Sequence, residues 1–114
     1  MTQSYVRELV RGVVEPLLLL IISVLPVHGY QMVKELNKRS HGYFEFSGST
    51  IYSALRRLES EGLVLSSWQP VAQKQSRRYY EITSKGRQIL AEKLAELQRF
   101  YRATSKVMSD IDLI

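Results

Sequence analysis

Two imidazoles, His28 and His41, are the side chains whose ordinary pKa lies nearest neutrality, and cysteine is absent. An imidazole base needs an orienting carboxylate and a group to act on. The acidic side chains fall on helix faces without a paired set, and no glycine-rich phosphate loop is present. His28, just ahead of Gly29 at the start of a helical stretch, reads as a capping or packing residue. Without cysteine there is no thiolate metal site, thiol nucleophile or disulfide framework, and the composition suits a reducing cytoplasm. No enzyme, cofactor or metal centre is expected.

The chemistry that remains belongs to hydroxyl and guanidinium groups in two clusters. One holds Ser49, Thr50, Ser53, Arg56 and Arg57; the other holds Lys74, Gln75, Ser76, Arg77 and Arg78, with no acid before Glu81. Such cations neutralise phosphates, and arginines with small hydroxyls can also read base edges. The formal net charge of +5 and a pI near 9.6 favour a polyanionic partner. That total decides little by itself. Residues 28–82 carry eight basic and five acidic side chains, against two of each in residues 1–27. What counts is the concentration of the excess in the two clusters.

The elements around them follow from spacing and punctuation. Ile51, Ala54, Leu55 and Leu58 make one apolar stripe of a helix that Ser47 or Ser49 can cap and Gly62 can end. At about 100° per residue, the side away from that stripe presents the first cluster, with Glu59 and Glu61 towards its flank or end. Ahead of it, Met32, Val33 and Leu36 predict a short amphipathic helix over residues 29–39. The connection between the two helices packs through Tyr43, Phe44 and Phe46. After Gly62 the period changes to two: Leu63 and Leu65 alternate with Val64, Ser66 and Trp68. Gln69 and Pro70 are expected to break this strand, and Trp68 to pack at its base. Arg77 to Ile82 returns as a second strand, with Tyr79 and Tyr80 on opposite faces. Thr83 caps a final helix reaching about residue 110.

The expected fold is mainly α with a small β-hairpin: a winged helix-turn-helix with N- and C-terminal dimerisation helices, all one structural domain. It divides into an N-terminal segment and apolar helix (1–27), the helix-turn-helix and wing (28–82) and the C-terminal helix (83–114). Residues 13–25 are too short for a membrane span and contain Glu15; they predict a helix buried from nearly all sides, with Leu18 and Ile22 at a subunit interface. Leu90, Leu94, Leu97, Tyr101, Thr104, Met108 and Ile111 repeat at spacings of four and three, a seam that a second subunit would cover, this chain's own apolar helix being the other surface it could pack on. Phe100 and Tyr101, near the expected dimer axis, read as packing residues in preference to a ligand cage. A winged-helix module that binds protein is the competing class, although such modules lack a basic wing and a hydroxyl-rich helix face.

Several segments resemble the PadR family. These are His28-Gly29-Tyr30; residues 48–59, which read Gly-Ser-Thr-Ile-Tyr-Ser-Ala-Leu-Arg-Arg-Leu-Glu; Glu61-Gly62-Leu63-Val64; and Arg77-Arg78-Tyr79-Tyr80-Glu81-Ile82-Thr83 with Gly86. The resemblance implies a regulator, a repressor above all, that dimerises through its terminal helices. It would bind double-stranded DNA at an inverted repeat and answer to a small aromatic or drug-like effector. By position, Tyr52 would lie beside the recognition surface, and Arg78 with Tyr80 would belong to the wing. The single last helix corresponds to the compact branch of the family. Ser53 departs from the pattern, since the family usually has proline there, and base readout at that position is affected.

Overall fold

Serine and threonine hydroxyls set where the main helices begin. Ser47 Oγ accepts the backbone N–H of Thr50 at 3.2 Å, and Thr83 Oγ1 accepts that of Gly86 at 2.9 Å. Each satisfies a donor that the first helical turn leaves without a partner. His28 does the same through its ring, accepting from the N–H of Gln31 at 3.3 Å, as its place ahead of Gly29 predicts.

The computed structural model describes residues 4–24, 26–72 and 75–111. A short helix α1 (Ser4–Val10) leads into α2 (Val14–Val24), and a two-residue strand β1 (Val27–His28) follows. Next come α3 (Gly29–Arg39) and α4 (Gly48–Ser60). The hairpin is β2 (Val64–Ala72) with β3 (Gln75–Ile82), and α5 (Ser84–Asp110) closes the chain. The strands form one antiparallel sheet in the order β1-β3-β2. The sequence does not predict β1. Two residues carry no periodicity, and the pairing of Val27 with Tyr80 and of His28 with Tyr79 is a tertiary contact.

The core lies where α2, α3 and α4 meet the base of the hairpin. Leu18, Leu19 and Ile22 of α2 enclose Met32 of α3 with Ile51, Leu55 and Leu58 of α4 and Val64 of β2, all essentially without solvent contact. Truncating any one of these leucines to alanine should cost about 2–5 kcal/mol. This corrects the assignment of Leu18 and Ile22 to a subunit interface: their surface is consumed within their own chain. Leu90 is likewise interior, and Leu94 is partly buried against the same core. An apolar run reads the same whether its own chain or a second copy covers it.

Two further expectations are revised. β2 runs through Gln69 and Pro70 to Ala72, with an irregularity in its pairing between Pro70 and Ala72. β2 is an edge strand, where a residue lacking an N–H is tolerated. Beyond Leu94, α5 leaves the body of the protein. Phe100, Tyr101, Val107, Met108 and Ile111 are exposed, so Phe100 and Tyr101 are not core residues. The protruding helix helps draw the molecule out to 60 × 32 × 20 Å.

Candidate nucleic-acid interface

The turn between α3 and α4 holds the second helix at a fixed attitude. Asn37 Oδ1 accepts the N–H of Phe46 at 3.1 Å, and Ser40 Oγ accepts that of Phe44 at 2.9 Å. Phe46 is buried, with Phe44 stacked against it at 5.1 Å. With the turn anchored, the start of α4 projects a group of hydroxyls. Ser47 Oγ lies 3.2 Å from Ser49 Oγ and 3.0 Å from Thr50 Oγ1. Ser49, Thr50, Arg56 and Arg57 are exposed and Ser53 is half-buried, on the side away from the Ile51 and Leu55 stripe.

The two arginines of α4 are differently engaged. Arg56 reaches Ser53 Oγ at 3.2 Å and stays on the open face. Arg57 Nε donates to Glu15 of α2 at 2.8 Å, which draws it towards the N-terminal helices. This ion pair is partly exposed and contributes little to stability. It does set where the Arg57 charge sits.

The hairpin is tied to the end of α4 by a short polar chain. Ser66 Oγ donates to Glu59 Oε2 at 2.7 Å and accepts from Arg78 Nε at 2.8 Å, while Arg78 Nη2 lies 3.6 Å from Glu59. Trp68 and Arg78 are paired across the strands, and the guanidinium stands 5.8 Å from the indole centroid. Trp68 is 63% exposed, so it is not the packing residue that the sequence suggests. It shares a face with Val64 and Ser66, but the sheet extends past the helices there and the face opens to solvent. Tyr80 is only 5% exposed: it lies at the base of the groove rather than free on the wing, and burial first of all pushes its phenol pKa up. Gln75 lies at the start of β3, and Lys74 is outside the described residues.

Between α4 and the sheet runs an open groove of about 520 Å³, lined by His28, Tyr30, Tyr52, Arg56, Trp68, Arg77, Arg78 and Tyr80. No carboxylate is among them. The structure thus brings Tyr52 and Arg56 of the helix together with Arg77, Arg78 and Tyr80 of the hairpin, as the two-cluster reading requires. It adds His28, Tyr30 and Trp68, which the sequence does not single out for this role. For Trp68 the signal is present: it lies in period-two register with Ser66, one pair out from the core. The His28 pKa is held below its ordinary value by burial first, then by the charges of Arg77 and Lys34.

A helix pair joined by a packed turn, with a β-hairpin leaning on its second helix and a cationic groove between them, defines a winged helix-turn-helix. The chain belongs to the PadR-like transcriptional regulator family, whose model matches residues 17–92. It is therefore a transcriptional regulator of that family, which is not a family of enzymes. It is 40% identical over 76 residues to the transcriptional regulator Rv3488 of Mycobacterium tuberculosis, covering 67% of each chain. The crystal structure of a PadR family regulator from Eggerthella lenta superposes with a TM-score of 0.80 at 33% identity, over 92% of this chain and 89% of that one. Bacillus subtilis PadR in complex with operator DNA has the same fold, with a TM-score of 0.67 at 22% identity over 72% of this chain and 46% of that one. Among the described residues, no helix is long and apolar enough to cross a membrane, and no group of side chains could hold a metal.

Proposed function

We propose that this regulator binds duplex DNA sequence-specifically, with α4 in the major groove and the hairpin against the flanking backbone. The observation that carries the reading is the groove itself, where Arg56, Arg77 and Arg78 stand with four aromatic side chains besides His28 and no carboxylate. Ser49, Thr50 and Ser53 sit on the open side of α4 where base edges would pass, and Arg77, Arg78 and Lys74 supply charge for phosphates. Tyr52 contributes at the edge of that surface. The same chemistry disfavours a protein-binding module, whose surface would not need so one-sided a charge.

A single helix reads only a few base pairs. The proposal therefore includes a homodimer on an inverted repeat, its two recognition helices about 34–36 Å apart, with Leu97, Tyr101 and Met108 of α5 facing the second copy. Repression by occupancy of such an operator is the regulatory outcome we favour. Release by a small aromatic effector is supported by a crevice of about 270 Å³ between α2 and α3, walled by Leu20, Ile21, Val24 and Val27 on one side and Gln31, Glu35 and Arg39 on the other. Selection of bound sequences from random duplex DNA tests the DNA-binding and inverted-repeat parts of this reading. Recovery of an inverted repeat is expected; recovery of no preferred sequence, with binding insensitive to salt, would remove it.

A further inference from the structure

A ring nitrogen of His28 and a guanidinium nitrogen of Arg77 meet at the edge of the groove. His28 Nδ1 takes the N–H of Gln31 at 3.3 Å, which places the proton of the neutral ring on Nε2. Nε2 stands 3.0 Å from Nη1 of Arg77, and a guanidinium has no acceptor. In the other tautomer Nε2 accepts from Arg77, but Nδ1–H then faces the N–H of Gln31 and that cap is lost. A doubly protonated ring has two donors and adds a charge beside Arg77. In no protonation state does the ring satisfy both neighbours, Gln31 and Arg77, at once.

We infer that His28 and Arg77 form a two-donor clamp for one backbone phosphate of the bound duplex, and that seating this phosphate draws a proton onto His28. The inference rests on the DNA-binding reading above and adds to it a contact and a linkage. One phosphate group, accepting from Nε2–H and from Arg77, satisfies both donors. Its location fits, because His28 opens α3, and the first helix of a helix-turn-helix crosses the DNA backbone.

The described side chains that stack against the imidazole, bond to it or line the groove with it are aromatic or cationic. From α3, Tyr30 stacks near the imidazole at 6.5 Å, and Lys34 lies over the Tyr30 ring at 4.9 Å. From β3, Tyr79 meets His28 edge-on at 5.5 Å, beside Arg77. Tyr52 and Arg56 of α4 and Trp68 of β2 line the same groove, and Glu59 is turned to Ser66 and Arg78. In the free protein these cations oppose protonation of His28, consistent with its lowered pKa. A phosphate reverses that balance: the ring takes up as much as one proton at Nδ1, releasing the N–H of Gln31 to solvent, and binding tightens as the pH falls.

The experiment measures affinity of the full chain for its selected duplex from about pH 8 to about pH 6, at constant ionic strength, while following the His28 ring by NMR. His28→Asn is the informative variant, because asparagine caps a helix well but does not titrate. The wild type is expected to bind several-fold tighter at the acid end, with a slope of at most about tenfold per pH unit for one proton. His28→Asn should bind more weakly and show a flat profile, and the His28 pKa should rise on adding duplex. Equal pH profiles in wild type and variant, or a ring that titrates alike with and without duplex, would overturn the clamp while leaving DNA binding intact. Absence of duplex binding at every pH would overturn the functional reading and the clamp with it.

Discussion

The ring of Tyr52 lies against the α-carbon of Gly29, so close that a methyl group there would come within 2.5 Å of ring carbon Cε1. This contact joins the start of α3 to the recognition surface of α4, and it leaves Tyr52 39% exposed on the groove side. The family resemblance implies Tyr52 beside that surface; the structure shows that glycine at 29 is what lets it lie back.

Gly29→Ala should therefore act on binding rather than on folding. The atoms that a methyl would meet are at the far end of the tyrosine side chain, which can swing outward. Alanine at a helix position also offsets some of the disturbance, by up to about 1 kcal/mol. A thermal midpoint near that of the wild type is expected, together with a clear loss of operator affinity as Tyr52 intrudes on the groove. A variant that melts much earlier yet binds normally would mean that Tyr52 only packs.

Glu15 should restrain Arg57. The carboxylate holds the guanidinium at 2.8 Å, and a phosphate would have to compete for it. Glu15→Gln is expected to raise DNA affinity a few-fold and to steepen the dependence of log affinity on log salt, by up to about one unit for one added phosphate contact. Arg56 has no such competitor among the described residues, so Arg56→Ala should weaken binding more than Arg57→Ala. The reverse order in a filter-binding series would make Arg57 the principal contact.

Trp68 offers a direct report on the wing, since it is the single tryptophan and stands in the groove beneath Arg78. Titration with operator duplex should shift or quench its fluorescence in step with binding. Emission that stays constant through a titration shown complete by another method would place the hairpin away from the DNA.

How far the sequence carries depends on how local each feature is. Ser47, Thr83 and Gly62 are legible because a cap or a positive-φ glycine acts within a few residues, and Gly62 does adopt φ 77°. The hydroxyl and arginine face of α4 is legible for the same reason, through the stripe on its other side. The Glu15–Arg57 pair spans 42 residues and the His28–Arg77 contact 49, and no periodicity encodes either. Leu18 and Ile22 show the same limit in the core: their apolarity predicts burial without saying by what.

In the absence of DNA, His28 should lower stability on acidification. Its folded pKa lies below the ordinary value of 6.5, so above that pH both folded and unfolded chains carry a neutral ring and the group contributes no difference. As the pH falls through 6.5, the unfolded chain takes the proton first, and stability declines until the folded ring also titrates. The melting temperature is expected to fall between about pH 7.5 and pH 5.5, and His28→Asn should remove part of that fall. A wild-type curve that superposes on the variant's would mean that the ring is not perturbed in the free protein.

The outer part of α5 should determine assembly. Tyr101 and Met108 are one heptad apart, 70% and 56% exposed, with Ile111 continuing the same seam. A helix of 27 residues that buries only Gly86 and Leu90 within its own chain leaves most of this stripe to water unless a second copy covers it. Charge placed at Leu94 would be ambiguous, because Leu94 packs partly on its own core and its loss would disturb folding as well. Tyr101→Glu combined with Met108→Glu avoids that difficulty, since both positions lie beyond the body of the protein. The double variant is expected to melt like a folded monomer at low concentration, to sediment as a monomer, and to bind single half-sites weakly and without cooperativity between them. If it sediments as a dimer and occupies an inverted repeat as the wild type does, the subunits meet elsewhere, with the exposed Leu20 and Val24 of α2 the next surface to substitute.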